Sequence, residues 1–269
     1  MKKFFTRLAA AVMAMVMCLT LCGCGTDLGT MLLMKKVWDS AASVKSVEAD
    51  LTAEIEGSCG SIPLKAGMEA ECRLLADPLE LEAATELDMG LFGSSELTAY
   101  MLNRGDALEL YIALKDKVLL SKSWPLENAP TLKDAIGFIR FIEDSEASIV
   151  WSRDEEINGT DAAVLDIVLP AGMIGKCFGE AEDEEPDVIT NDLKLTAWID
   201  IESGRLIRLE TDLAQLAVPL FIGSEDGQKV DIIIDKLPLV LDITDFNEAE
   251  SIDIPKSIAE KKADDKLNA

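Results

Sequence analysis

The sequence predicts an α+β fold: a long antiparallel sheet curved into an unclosed barrel, wrapped around an N-terminal helix and a central helix. Three observations carry this. Apolar and polar residues alternate with a period of two over most of the chain, as half-buried antiparallel strands require. The links between these runs are short and rich in Gly, Asp and Asn, as hairpin loops are. Two long segments show helical spacing, so the apolar face of a large sheet has two helices to cover it.

In chain order, "LGTMLLMKKVWDSAASVK" (28–45) reads as the first helix, with Met31, Met34, Trp38, Ala41 and Val44 recurring at spacings of three and four. Lys35, Lys36, Asp39 and Ser43 fall on its other side, and Asp27 stands at the N-cap position. The period then changes to two. Val47, Ala49, Leu51, Ala53 and Ile55 share one side of the first strand. Ile62, Leu64, Ala66, Met68, Ala70, Cys72 and Leu74 do so in the second, and Leu79, Leu81, Ala83, Leu87 and Met89 in the third. "ELTAYML" (96–102), "LELYIALK" (108–115) and "KVLLSKSW" (117–124) continue the meander. Arg104-Gly105-Asp106 lies between two of these runs and reads as a turn. "APTLKDAIGFIRFIEDS" (129–145) is the central helix, with Leu132, Ala135, Ile136, Ile139 and Ile142 along one stripe.

A hairpin follows at 148–169, turning at Asn158-Gly159, a pair suited to the tight turns of hairpins. "EAEDEEPD" (180–187) lies in an acidic loop and lacks the spacing of a calcium-binding loop. Strands return at 193–201, 205–221 and 229–246, with Pro238 marking a bend or an edge position in the last. The tail 259–269 is charged. With a hairpin at 57–61, Cys59 sits at the turn and Cys72 near the far end of its strand. That separation is ~40 Å at ~3.3 Å per residue, beyond the reach of a disulfide. Cys177 is the third cysteine downstream of Cys24.

The first 23 residues read as an export signal. Lys2, Lys3 and Arg7 precede an uncharged, mostly apolar run of 14 residues from Leu8 to Leu21, shorter than the ~20 a spanning helix needs. In "LTLCGCGTD" (19–27) the small Gly23 precedes Cys24 as in a bacterial lipobox, whereas bulky Leu21 precedes Cys22. Cys24 is therefore the expected lipid-attachment residue and the first residue of the mature chain. Its acyl chains would fix the protein to the outer face of the cell membrane, since each buried methylene contributes ~0.8 kcal/mol. Few residues separate Cys24 from the helix near Leu28, which places that helix, with Lys35 and Lys36, close to headgroups.

The chain carries 50 acidic against 25 basic residues and a net charge of −25. Such a balance excludes nucleic-acid binding, which needs Lys and Arg in excess. There is no histidine, which removes the commonest general base and zinc ligand. No nucleotide-binding loop is present, and no cofactor, metal site or catalytic residue is assigned. The inward set is more informative. Ala49, Leu51, Ala53, Ala66, Met68, Ala70, Leu81, Ala83 and Ala99, with Trp38, Ile136 and Ile139 from the helices, are the expected lining of an apolar cavity. Small inward residues leave volume that a dense interior must fill, with the helices themselves or with an apolar ligand.

"SVKSVEADLTAEIE" (43–56) after the first helix, "WSRDEEINGT" (151–160), "WIDIESGRLIRLE" (198–210) and "DFNEAESIDIPKSI" (245–258) appear in the order of elements described. In this the chain resembles the LolA-like and LppX-like lipoproteins, Gram-positive members in particular. The resemblance implies one half-barrel domain over residues 24–258, with a cavity for lipids or lipoproteins and no catalytic residues. A non-enzymatic interaction or sensor module, its barrel filled by its own helices, is the alternative. Replacing Cys24 by Ala is expected to stall processing or move the protein out of the detergent phase, read by phase partitioning and intact mass. An unchanged mature mass and partitioning would exclude lipidation there.

Overall fold

The computed structural model describes residues 28–41, 43–76, 78–90, 93–115, 117–125, 147–171, 191–216, 220–223 and 229–259. Helix α1 is Leu28–Ala41. The strands are β1 (Ser46–Cys59), β2 (Ile62–Ala76), β3 (Leu79–Asp88), β4 (Ser94–Asn103), β5 (Ala107–Leu114), β6 (Lys117–Pro125), β7 (Ser148–Ile157), β8 (Thr160–Leu169), β9 (Leu193–Asp200), β10 (Leu206–Asp212), β11 (Leu220–Gly223), β12 (Lys229–Lys236) and β13 (Pro238–Phe246). A short helix α2, Lys256–Ala259, follows. The strands form one sheet in the order β6-β5-β4-β3-β2-β1-β13-β10-β9-β8-β7, with β12 pairing β1 and β11. Among the described residues β6 and β7 end this series without pairing, so the antiparallel sheet is unclosed, as expected. The predicted central helix, the acidic loop at 180–187, Cys177 and residues 260–269 lie outside the described residues.

Two of the predicted strands are each divided. The run 205–221 ends as a strand at Asp212, whose Oδ1 accepts hydrogen bonds from the amides of Ala214 (3.0 Å) and Leu237 (2.9 Å). A 3-10 turn, Leu213–Leu216, follows. The run 229–246 breaks between Lys236 and Pro238, where the missing N–H of proline interrupts the ladder.

The chain forms two compact units. Among the described residues the first comprises 28–41, 53–65, 147–171, 191–216, 220–223 and 229–240. Its core is β8, where Ala163, Leu165, Ile167 and Leu169 stand opposite Ile199, Ala197, Leu195 and Leu193 of β9, all buried. On the other face Ala162, Val164 and Trp198 pack with Ile157 and Ile207. The β7–β8 turn is at Asn158 (φ 51°) and Gly159 (φ 80°), both left-handed as a type I′ turn requires.

Helix α1 docks on the turn between β9 and β10. Gly204 there has φ +71°, and a Cβ on it would stand 2.5 Å from the Lys36 carbonyl carbon. Ser40 Oγ donates to the Gly204 carbonyl (3.1 Å) and Lys36 Nζ to the Ile201 carbonyl (2.9 Å). The buried stripe is Thr30, Leu33 and Val37, whereas Met31 of the predicted stripe is 57% exposed. The helix also stops at Ala41, so Val44 is outside it. Because apolar residues occur all round this segment, spacing alone admits both stripes.

Among the described residues the second unit comprises 43–52, 66–76, 78–90, 93–115, 117–125 and 241–259. At its start Asn247, at φ 64°, joins β13 to β1: its Oδ1 accepts from the Lys45 amide (2.6 Å) and its own amide donates to the Ser46 carbonyl (2.9 Å). Cys59 ends β1 before the Gly60–Ser61 turn, and Cys59 and Cys72 are both free thiols, as the hairpin register requires.

Gly204→Ala is expected to cost more than Gly105→Ala. Both glycines have positive φ, which penalises an L-residue by ~1–2 kcal/mol, but only Gly204 faces a backbone collision. Thermal melts should show the larger drop for Gly204→Ala, and hydrogen exchange should place the loosening in residues 28–41. Equal melting temperatures for the two variants would refute this account of α1 docking.

Candidate functional site

In the second unit the hairpins β2–β6 have two faces, and the register of the ladder decides what each carries. On one face Cys72, Ala83, Ala99, Ile112 and Leu120 stand in a row across five strands. Beside it runs Leu74, Leu81, Met101, Leu110 and Lys122. Two shorter rows, Ala70-Thr85-Leu97 and Met68-Leu87-Ser95, extend the same face. This alanine face is apolar over most of its area and has small residues at its middle.

The opposite face carries Arg73, Glu82, Tyr100, Tyr111 and Ser121 in register. Its outermost part is not the open acidic surface that the alternation suggests. Residues 249–258 lie across it as a strap: Ile252 and Ile258 pack with Leu75, Tyr100, Leu102, Tyr111 and Ala113, joined by Ala249, Ile254 and Val118. Tyr111 and Ala113 are fully inaccessible beneath it. Arg104 latches the strap, reaching the Ile258 carbonyl with its guanidinium (3.3 Å) and Glu109 at 3.7 Å. The Tyr111 hydroxyl donates to Glu109 Oε2 (2.5 Å), and burial followed by the Glu109 carboxylate pushes the phenol up to about 12. The arginine of the Arg-Gly-Asp triplet is thus engaged with its own chain. Arg73 bridges Glu48 (3.0 Å) and Glu82 (3.4 Å) nearby, while Asp50, Glu69, Glu71, Glu86 and Asp88 remain exposed.

With the strap over Tyr100 and Tyr111, the alanine face carries rows of partly accessible apolar side chains. Ala70, Met101 and Leu110 are buried, but Cys72, Leu74, Leu81, Ala83, Ala99, Ile112 and Leu120 are only half-buried. Of the expected lining, Ala49, Leu51 and Ala70 are buried in this unit, and Ala66, Met68, Leu81, Ala83 and Ala99 are half-buried. The register brings Ala83 and Ala99 directly opposite one another. Ala53 is buried and Trp38 half-buried in the first unit, and Ile136 and Ile139 lie outside the described residues. Leu97, Met101, Leu110 and Ile112 also belong to this face. Their alternation was visible in the sequence, but their membership in these rows required the cross-strand register.

A concavity of about 770 Å³ opens in the first unit between Lys36, Asp154–Glu156, Gly159–Asp161 and Asp200–Glu202. Burial raises the Asp200 carboxyl, yet hydrogen bonds from the Ser203 hydroxyl and the Glu202 and Ser203 amides outweigh it and hold the group below its usual range. Glu155 accepts from Trp198 Nε1 (3.3 Å) and Arg153 (3.2 Å). The exposed Lys36 ammonium donates to the Ile201 carbonyl (2.9 Å) at the rim of this concavity. Among the described residues no three His, Cys, Asp or Glu side chains converge to hold a metal.

No family model and no curated protein matches the chain. Among solved structures it is similar to the lipoprotein LppX of Mycobacterium tuberculosis, at 13% identity and TM-score 0.44, over 82% of this chain and 97% of that one. It is similar to LprF of Mycobacterium bovis at 11% identity and TM-score 0.46, over 86% and 97%. An outer membrane lipoprotein-sorting protein domain from Vibrio parahaemolyticus aligns at 14% identity and TM-score 0.27, over 81% and 93%.

Burial, and secondarily the Asp50 carboxylate, push the Cys72 thiol up to about 11. Since the thiolate is the reactive form, roughly one Cys72 in a thousand is ionised at pH 8, and the fraction rises about tenfold per pH unit up to pH 10. Alkylation of Cys72, followed by peptide mass mapping, should accelerate by that factor. Fast, pH-independent modification at pH 7–8 would show that Cys72 does not sit in this apolar row.

Proposed function

We propose that this protein is a membrane-anchored, extracytoplasmic lipoprotein, lipidated at Cys24, that binds a lipid or another apolar ligand on the alanine face. The observation that carries the reading is the asymmetry of the second unit's sheet. On one face the part around Tyr100 and Tyr111 is covered by the chain's own strap and the remainder is largely acidic, while the other is mostly apolar, in register, and half-buried around Ala83 and Ala99. Burying apolar surface yields ~25 cal/mol per Å², so an acyl chain laid along such rows gains from contact area alone. Small side chains let it approach the backbone. Among the described residues no polar group stands at the middle of the rows, so recognition there would rest on shape, not on directed hydrogen bonds. With no histidine and no converging metal ligands among the described residues, we take the role to be carriage or presentation, not catalysis.

The test is native mass spectrometry and solvent extraction of the purified protein, before and after Ala83→Trp. Indole at that position fills the middle row and should reduce co-purifying lipid several-fold. Ala84→Trp, exposed on the opposite face, should not. If no lipid accompanies the wild-type protein and none is taken up from vesicles, the binding reading is wrong and the interaction or sensor module replaces it.

A further inference from the structure

The solvent side of α1 carries an unexpected apolar edge. Leu28 is 71% exposed and Met31 and Leu32 are each 57% exposed. Single exposed apolar residues are ordinary, but these three follow the i, i+3, i+4 pattern that places them together on one side of a helix. At ~100° per residue that side is opposite the buried Thr30, Leu33 and Val37. The same side changes character one turn later, where Lys35 pairs with Asp39 at 3.1 Å, both well exposed. The apolar part is therefore confined to the first two turns of α1.

We infer that Leu28, Met31 and Leu32 sit in the headgroup–acyl boundary of the membrane, so that the protein rests on the bilayer through α1 as well as through its lipid. This inference rests on the proposed attachment at Cys24. Four peptide steps separate Cys24 from Leu28, and at ~3.3–3.6 Å per extended residue they span at most ~14 Å. An acylated Cys24 holds the first turn within that distance of the bilayer. Contact of the edge with lipid is then intramolecular, and a weak apolar contact suffices because its effective concentration is high. The gradient along the helix suits this placement: apolar side chains come first, near the anchor, and the Lys35–Asp39 pair stands farther from it, toward water. A second copy of the chain is a poorer occupant. Three partly exposed side chains offer at most ~300 Å², against ~800 Å² per partner in a stable interface.

The experiment uses the full lipidated protein in phosphatidylcholine–phosphatidylglycerol vesicles whose acyl chains carry bromine, a contact quencher of tryptophan. Met31→Trp and Leu32→Trp are compared with wild type, so that the four native tryptophans cancel, and with Asp39→Trp. The two apolar-edge variants should gain a blue-shifted emission that brominated lipid quenches, and Asp39→Trp should not. If intact mass shows the acyl group and the protein floats with the vesicles, yet neither edge variant is quenched, the inference fails while the anchor stands. Cross-linking between copies through position 31 without quenching likewise overturns it, in favour of a second copy. An intact mass without the acyl group removes both.

Discussion

The strap at residues 249–258 is the contact on which the functional geometry of the second unit depends. Strands β4 and β5 are buried and mostly apolar on both sides: Tyr100, Met101 and Leu102 are consecutive and all buried, as are Leu108, Leu110 and Tyr111, with Glu109 the buried acid among them. A sheet with two apolar faces must cover both or bind something on one. Ile252 and Ile258, each contributing ~1.5–3 kcal/mol on full burial, cover the tyrosine face, and the Arg104 guanidinium holds the end of the strap at the Ile258 carbonyl. That assignment leaves the alanine face with its rows half-buried among the described residues, the face on which the proposed ligand would lie.

Local rules explain most of what was legible in the sequence. The two-residue period set β1 to β5 because each alternating run is long and bounded by turn residues, and Asn158-Gly159 set the β7–β8 hairpin because few other pairs tolerate two left-handed residues. Where two local signals competed, the sequence was ambiguous. Around α1, Met31-Met34-Trp38 and Thr30-Leu33-Val37 satisfy the same helical spacing. The second stripe is the buried one because the Gly204 backbone closes directly on Lys36 and Val37. In 205–221 the apolar run conceals a strand end, since Asp212 turns the chain by accepting amides from Ala214 and from Leu237, 25 residues away.

The candidate site was legible in part for the same reason. Alternation identifies which side of each strand is apolar, so Ala70, Ala83 and Ala99 were assigned to one face. Which apolar face stays accessible is a non-local matter. "SIDIPKSI" shows three isoleucines, but nothing local says that they close over Tyr111, some 140 residues earlier. The partners of the acidic residues in these strands are non-local in the same way. In three dimensions Glu48 and Glu82 share Arg73 beside the strap, and burial raises the Glu80 and Glu82 carboxyls above their usual range.

The chemistry of the alanine face limits what it can discriminate. A pocket that hydrogen-bonds its ligand rejects analogues strongly, because each mismatch leaves a buried polar group unpaired, whereas an apolar surface separates ligands differing by one methylene by only ~1–3 kcal/mol. The rows through Ala83 and Leu81 present methyls, methylenes, a thioether and one thiol, with Thr85, Ser95 and Lys122 at their margins. Selectivity for a ligand laid there falls on its length and width and on whatever polar group reaches those margins. On the proposed reading, such a surface would accept a class of apolar molecules, not a single one. Burial favours the thiol form of Cys72, so even the most reactive side chain of the rows adds to their apolar character.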